Sequence, residues 1–254
     1  MTAESETKSS RNIILVIEYD GLLFNGWQTQ NNAPTVQHAI EKTLEKILSH
    51  RVRISGSGRT DAGVHAKAQT ANFFTDNGLS CRKMQKALNA WLPEGISVKK
   101  VSEADINFHS RYSAKLKHYR YIISNGRTPP ALERNRVWFI PYRLETGKMK
   151  EAAKYLLGRH DFSSFGVNLK GKAGNPVKTI YSIDIKKTGS KIQIDIVGDG
   201  FLYKMVRSMV GTLVDAGRGK RKAKEIKKIL SSKSRAGASP IAPPQGLYLY
   251  RVVY

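Results

Sequence analysis

Cysteine is nearly absent: Cys81 is the only one in the chain. An intrachain disulfide and a cysteine-based zinc cluster are therefore excluded. The six histidines show no metal-ligand spacing, so neither a metal nor an organic cofactor is signalled. Negative charge is scarce as well, with 20 Asp and Glu against 43 Lys and Arg, a formal net charge of +23. A balance so one-sided points to a polyanionic partner, and nucleic acid is the default. Long hydrophobic runs are missing. None approaches the ~20 residues of a membrane span, and no long basic amphipathic helix stands out, which weighs against an anionic membrane. Residues 1–10 are polar and lack the apolar core of a signal peptide, so they read as a flexible tail. Together these features fit a cytoplasmic protein.

What is present is a globular chain of 254 residues, 40% apolar, long enough for one large domain or two small ones. The run Ile13-Ile14-Leu15-Val16-Ile17 predicts a buried strand over 12–19, ended by Asp20-Gly21. Val36, Ala39, Ile40, Thr43, Leu44, Ile47 and Leu48 recur at helical spacing behind a Thr35 cap. Strands over 52–55 and 69–75 follow, then a helix capped by Ser80 with Met84, Leu88 and Trp91 on its stripe, then a strand over 96–101. After a connector at 107–116 the order repeats. It runs through a strand at 117–124 (Tyr119, Tyr121 and Ile123 facing one way), a long loop with Trp138-Phe139, and a helix capped by Thr146 and closed by Gly158. A hairpin over 179–197, a helix over 202–216, a short basic helix over 223–230 and a strand over 247–254 complete it. Each half reads β-α-β-β-α-β, the ferredoxin-like order. The expected fold is α+β: two pseudo-symmetric ferredoxin-like (βαββαβ) halves with largely antiparallel sheets, facing or joined across a cleft. The expected divisions are a tail at 1–10, an N-terminal half at 11–108 and a C-terminal half at 109–254.

Between two predicted strands lies Gly56-Ser57-Gly58-Arg59-Thr60-Asp61-Ala62-Gly63-Val64-His65-Ala66. Glycine permits close backbone approach to a ligand, and such loops often cradle phosphate. Here no Gly-Lys-Ser/Thr follows, and the spacing fits neither the Walker loop nor the dinucleotide fingerprint. What remains is a carboxylate two residues from a guanidinium on a tight loop. That is a setting for a reactive Asp in an electropositive site. It is equally the composition of a β-turn with a solvated Arg–Asp pair, and spacing alone leaves both readings open.

The motif Gly58-Arg59-Thr60-Asp61-Ala62-Gly63-Val64-His65-Ala66 resembles that of the TruA family of tRNA pseudouridine synthases. The resemblance extends, in family order, to Glu18-Tyr19-Asp20-Gly21, Gly26-Trp27-Gln28, Phe108-His109-Ser110-Arg111, Tyr119-Arg120-Tyr121 and Asp161-Phe162-Ser163-Ser164-Phe165. It ends with Gly200-Phe201-Leu202, Met205-Val206-Arg207 and Gly246-Leu247-Tyr248-Leu249. Thr29, Gln245 and the Gly- and Lys-rich loop at 168–178 depart from the family pattern. The resemblance implies an enzyme that isomerises uridine to pseudouridine at positions thirty-eight to forty of the tRNA anticodon stem-loop. It implies a homodimer with a basic cleft, and no metal or organic cofactor.

The reaction breaks the C1′–N1 bond and joins uracil C5 to C1′ with no net redox change. A carboxylate suits it as nucleophile or base, because it can add covalently and leave again. Motif match and setting make Asp61 the candidate, with attack on the sugar, attack on the base and deprotonation of the 2′ carbon all open to it. Arg59 and Arg207 are the candidate cations beside it. The resemblance implies that Arg207 pairs with Asp61 and that Tyr119 lies against the target uracil, its hydroxyl a candidate acceptor of the C5 proton. Arg59, beside the aspartate, is a candidate to hold a phosphate or fill the space left when the uridine flips out, and Leu247 a candidate apolar wall over the uracil. Without the resemblance, Arg207 reads as a surface arginine, Tyr119 as one of an inward aromatic row and Leu247 as core. Lys115, Lys117, His118, Arg120, Lys170, Lys172, Lys178 and the run Arg218, Lys220, Arg221, Lys222 are expected to contact phosphates collectively, although each one singly reads as a solvated surface charge. Two other classes compete. A non-catalytic RNA-binding protein suits paired βαββαβ units, but the RNP aromatic motif is absent. A glycosidase would need a second positioned carboxylate, and many nucleases a metal cluster.

Overall fold

β1 (Arg11–Tyr19) opens the computed structural model, which describes residues 10–167 and 175–254. Lys170 and Lys172 of the predicted phosphate contacts fall outside the described residues. The apolar run becomes a strand because alternate residues Ile13, Leu15, Ile17 and Tyr19 are all buried on one face. α1 (Val36–Leu48) buries Val36, Ile40, Leu44 and Leu48 at i, i+4 spacing. Thr35 precedes it with extended backbone but makes no side-chain cap bond. β2 is only Ser55–Gly56, and β3 (His65–Thr75) begins four residues before the predicted strand, so the Asp-bearing motif runs into it directly. α2 (Cys81–Trp91) is capped as expected, Ser80 accepting from the Lys83 N–H, and β4 (Ile96–Ala104) ends the first half.

The second half holds β5 (Leu116–Asn125), β6 (Trp138–Ile140), α3 (Thr146–Lys154), β7 (Gly158–Asp161), β8 (Val177–Thr188) and β9 (Lys191–Gly198). α4 (Met205–Gly217), α5 (Glu225–Ser232) and β10 (Leu247–Val253) complete it. Glu145, not Thr146, is the residue at the α3 cap. Gly158 does not close that helix, which ends at Lys154; with φ +92° it turns the chain into β7. α4 starts at Met205 because Lys204, at φ 61°, interrupts the helical backbone.

The ten strands of the described residues form one sheet, largely antiparallel, in the order β4-β1-β3-β10-β5-β9-β8-β7, with β2 on β3 and β6 on β5. The order fourth-first-third-second recurs in both halves: β4-β1-β3 with β2, then β10-β5-β9-β8. The predicted α+β class and the repeat of element order hold, and the halves are joined in one sheet. The joint has a simple cause. β1 covers one edge of β3. The other edge is shared: β2 pairs only with Ala71 and Asn72, which leaves the His65 end open, and β10 pairs there in parallel (Tyr248 with His65, Leu249 with Ala66). The loop at 57–64 thus emerges where β10 takes over from β2.

Candidate active site

Asp61 sits in the loop at 57–64, and hydrogen bonds hold that loop on several sides. The Ser57 N–H donates to the Thr70 carbonyl (2.8 Å) and Gln69 Nε2 to the Gly58 carbonyl (2.8 Å). Ser57 Oγ donates to Gln69 Oε1 (2.6 Å), fixing that amide. The Trp27 N–H donates to the Thr60 carbonyl (3.1 Å), Tyr19 Oη and Thr60 Oγ1 share a bond of 2.7 Å, and the Gly63 N–H reaches the Gly21 carbonyl (3.1 Å). Gly26 is required beside this loop: its φ is +88°, and a Cβ there would lie 2.6 Å from the Thr60 carbonyl oxygen.

Arg207 is the third residue of α4. Its Nη1 donates to Asp61 Oδ2 at 2.6 Å and its Nε to the Ala242 carbonyl at 2.7 Å. The two side chains are 12% and 16% exposed, so the pair is largely shielded from water but reachable from the cleft. On β5, Lys117 and Tyr119 face the same cleft. The Tyr119 ring meets Phe201 edge-on, centroids 5.1 Å apart. Burial, with Tyr19 and Asp61 nearby, raises the Tyr119 hydroxyl well above the tyrosine range. Lys117 Nζ donates to the Ser57 carbonyl at 2.6 Å. Burial first, then the charges of Arg111 and Lys178, lowers its pKa to about 8.

Leu247 is buried and lines the cleft, while Arg59 is exposed at its mouth with Nε on Gln28 Oε1 (3.0 Å). The cleft has a volume of about 1550 Å³. Among the described residues its lining carries nine Lys and Arg (Arg53, Arg59, Arg111, Lys117, Lys178, Lys204, Arg207, Lys233, Arg235) and one acidic residue, Asp61. Asp61, Arg207, Tyr119, Arg59, Lys117 and Leu247 are therefore brought together. Lys115 is exposed outside the lining, its N–H on the Val253 carbonyl. Arg120 is not part of the site. Strand alternation turns it, with His118, to the opposite face from Tyr119, where Nε bonds Asp195 Oδ1 (2.8 Å). Burial raises the Asp195 carboxyl, but bonds from His118, Arg120 and Gln193 outweigh it and bring the pKa to about 2. The run at 218–222 follows the far end of α4, roughly 16 Å from Arg207 at 1.5 Å per residue. The cleft cations Arg53, Lys204, Lys233 and Arg235 gave no local sequence signal, since they come from three separate segments, with Lys233 and Arg235 sharing the one after α5.

Fold and site define a class: an α+β protein of two like halves, whose cleft has the charge to receive a polyanion and holds a single ion-paired carboxylate. Comparison with known proteins gives the family. The family model described as tRNA pseudouridine synthase matches residues 15–113 and 152–254. A tRNA pseudouridine synthase A of Thermoanaerobacter sp. (strain X514) is 45% identical over 96% of this chain and 100% of its own length. Its counterpart from Bacillus subtilis (strain 168) is 44% identical over 94% of this chain and 97% of its own. A chain in the crystal structure of a Cbf5-Nop10-Gar1 complex aligns over 92% of this chain and 50% of its own at 12% identity, TM-score 0.39, too remote to argue from. The chain belongs to the tRNA pseudouridine synthase family, isomerases acting on tRNA.

Proposed function

We propose that the protein isomerises uridine to pseudouridine at positions thirty-eight, thirty-nine and/or forty of the tRNA anticodon stem-loop. In this reading Asp61 is the nucleophile, no metal or organic cofactor takes part, and the enzyme works as a cytoplasmic homodimer. The observation that carries the reading is the Asp61–Arg207 pair at 2.6 Å in a cleft whose other charged residues, among those described, are all cations. Arg207, fixed by the Ala242 carbonyl, aims the carboxylate through Oδ2 and leaves Oδ1 to face the nucleoside. Asp61 adds to C1′ as the C1′–N1 bond breaks and uracil leaves as its anion. It departs when uracil C5 bonds to C1′ in its place, the C5 proton being lost to solvent and N1 protonated from it. The uridine is flipped out to reach it. Tyr119 stacks on the uracil opposite Leu247, and Arg59 holds the phosphate or takes the vacated space. Lys117 and Lys115 contact phosphates. Arg120 is assigned to holding β5 against β9. The N-terminal half at 11–108 carries the nucleophile loop, and the C-terminal half at 109–254 supplies Arg207 and Tyr119 and completes the cleft.

The test uses tRNA transcripts tritiated at uridine C5, with the wild type beside Asp61→Asn. Pseudouridine formation releases the C5 hydrogen. Release by the wild type alone is expected, with RNA still bound by the variant, and mapping the product gives the position. Equal release by both proteins removes Asp61 from the centre of the reaction. No release with RNA bound points to a binding protein, and free uracil or chain cleavage points to a glycosidase or nuclease.

A further inference from the structure

Among the described residues five aromatic side chains other than histidine line the cleft, and they fall into two groups. Trp27 and Tyr119 are buried and Phe201 is half-buried against Tyr119. Tyr112 and Tyr203 are exposed, at 76% and 40%. Core packing explains the first group and not the second. Each exposed ring is also paired with a cation. The Arg111 guanidinium carbon lies 5.5 Å from the Tyr112 ring centroid, and Lys204 Nζ lies 4.9 Å from that of Tyr203. His109 leans on Tyr112 as well, centroids 4.5 Å apart. The two pairs stand on different elements. Tyr112 is on the connector between the halves, and Tyr203 is at the entry to α4, where its carbonyl accepts from the Val167 N–H (3.0 Å).

An aromatic face beside a cation is the usual means of holding an unstacked base and its phosphate together. A solitary exposed tyrosine needs no explanation; two in one cleft, each with its own cation, do. The need for them follows from the reaction. Flipping one uridine out of an RNA stack leaves the bases on either side without a neighbour, and two rings at the cleft surface replace that missing stacking. We propose that Tyr112 and Tyr203 are stacking platforms for the two nucleobases that flank the flipped uridine, one on each side. This rests on the proposed base flipping but assigns binding sites for nucleotides that do not react. It also predicts a preference for RNA whose target lies in a loop or at a stem end, where neighbours unstack at least cost.

The test uses stem-loop RNAs carrying 2-aminopurine immediately before or after the target uridine. This analogue is bright when unstacked and quenched on an aromatic face. The protein background is Asp61→Asn, so that the target persists. Both labels are expected to be quenched in the complex. Tyr112→Ala should brighten one label and Tyr203→Ala the other, each weakening binding about 10-fold. Tyr112→Phe and Tyr203→Phe should keep the quenching, because the ring and not the hydroxyl makes the contact. Unchanged emission in both Ala variants, a response confined to one of them, or brightening in the Phe variants would each overturn the proposal. Both rings are exposed, so the melting temperatures should stay within ~2 °C of the parent. Tritium release by the wild type, measured separately, tells failure of the reaction assignment from failure of the platforms.

Discussion

Asp61 and Arg207 meet across 146 residues of sequence, and each is the other's main compensation for leaving water. Removing one partner of a shielded ion pair costs more than the pair contributes, because the survivor stays unpaired. Arg207→Ala should therefore lose about 3 kcal/mol of stability, a fall in melting temperature of roughly 10 °C for a chain of this size. Asp61→Asn combined with Arg207→Ala should recover part of that loss, since no carboxylate is then stranded. Thermal unfolding of the four proteins decides it; equal melting of the single Arg207 variant and the double variant would refute the pairing argument. Lys117 makes a pH-dependent prediction. An unfolded lysine keeps its proton to about 10.5, whereas Lys117 in the fold loses it near 8. Between these values the unfolded chain binds the extra proton, so this group's contribution to stability rises with pH. Over the same range the cleft loses a cation, so RNA binding weakens. The KM for tRNA should rise above about pH 8 in the wild type. In Lys117→Arg, whose guanidinium stays charged, the rise should flatten; an identical rise in both proteins would exclude Lys117 as its source.

α4 transmits packing to chemistry. It is buried nearly all round, and its Gly211 faces the segment that supplies the Ala242 carbonyl to Arg207. A Cβ at Gly211 would lie 2.0 Å from the Pro240 carbonyl oxygen. Helix propensity favours alanine there by ~1 kcal/mol, but backbone contact at that distance forces the helix or the 240–242 segment to move. Gly211→Ala should therefore destabilise the protein by ~1–3 kcal/mol and lower kcat more than it raises KM. Denaturant unfolding and steady-state kinetics check this, and a more stable, fully active variant would show that the contact is not tight. Elements with a strong stripe, such as β1 and α1, were legible in the sequence because burial follows their periodicity. β6 and β7 were not. They are three and four residues long, and Gly158-Arg159-His160-Asp161 has no apolar alternation to reveal a strand. Gly158 reads as a helix stop because glycine with positive φ ends helices; here the same conformation opens a strand. Arg120 could have been placed correctly from the sequence, since an inward Tyr119 and Tyr121 require an outward residue between them. The Asp61 loop was visible as a motif, but no local pattern links it to Arg207, and only the family resemblance joined the two.

At the scale of the whole molecule, one sheet carries both halves, and the join through β3 and β10 puts the nucleophile loop beside cations drawn from many segments. Nine Lys and Arg and one Asp on the lining make this a surface for phosphate, consistent with the formal +23 of the chain. Two of the nine are engaged inside the site, Arg207 with Asp61 and Lys117 with the Ser57 carbonyl. If roughly five contact RNA phosphates, log K should fall with log salt at a slope near −4, about 10²-fold between 50 and 200 mM. Phosphate contacts carry no sequence information, so an unrelated RNA of the same length should show a similar slope at lower affinity. Neutralising Arg53, Lys204 and Arg235 together should reduce the slope by about one for each phosphate left without its cation. It should leave the C5-hydrogen release rate at saturating tRNA nearly unchanged, because none of the three touches Asp61. Filter binding across the salt series measures the slope. A flat dependence, or a slope unaltered by the triple substitution, would move the RNA off this cleft and onto another basic face, with the run at 218–222 the first to examine.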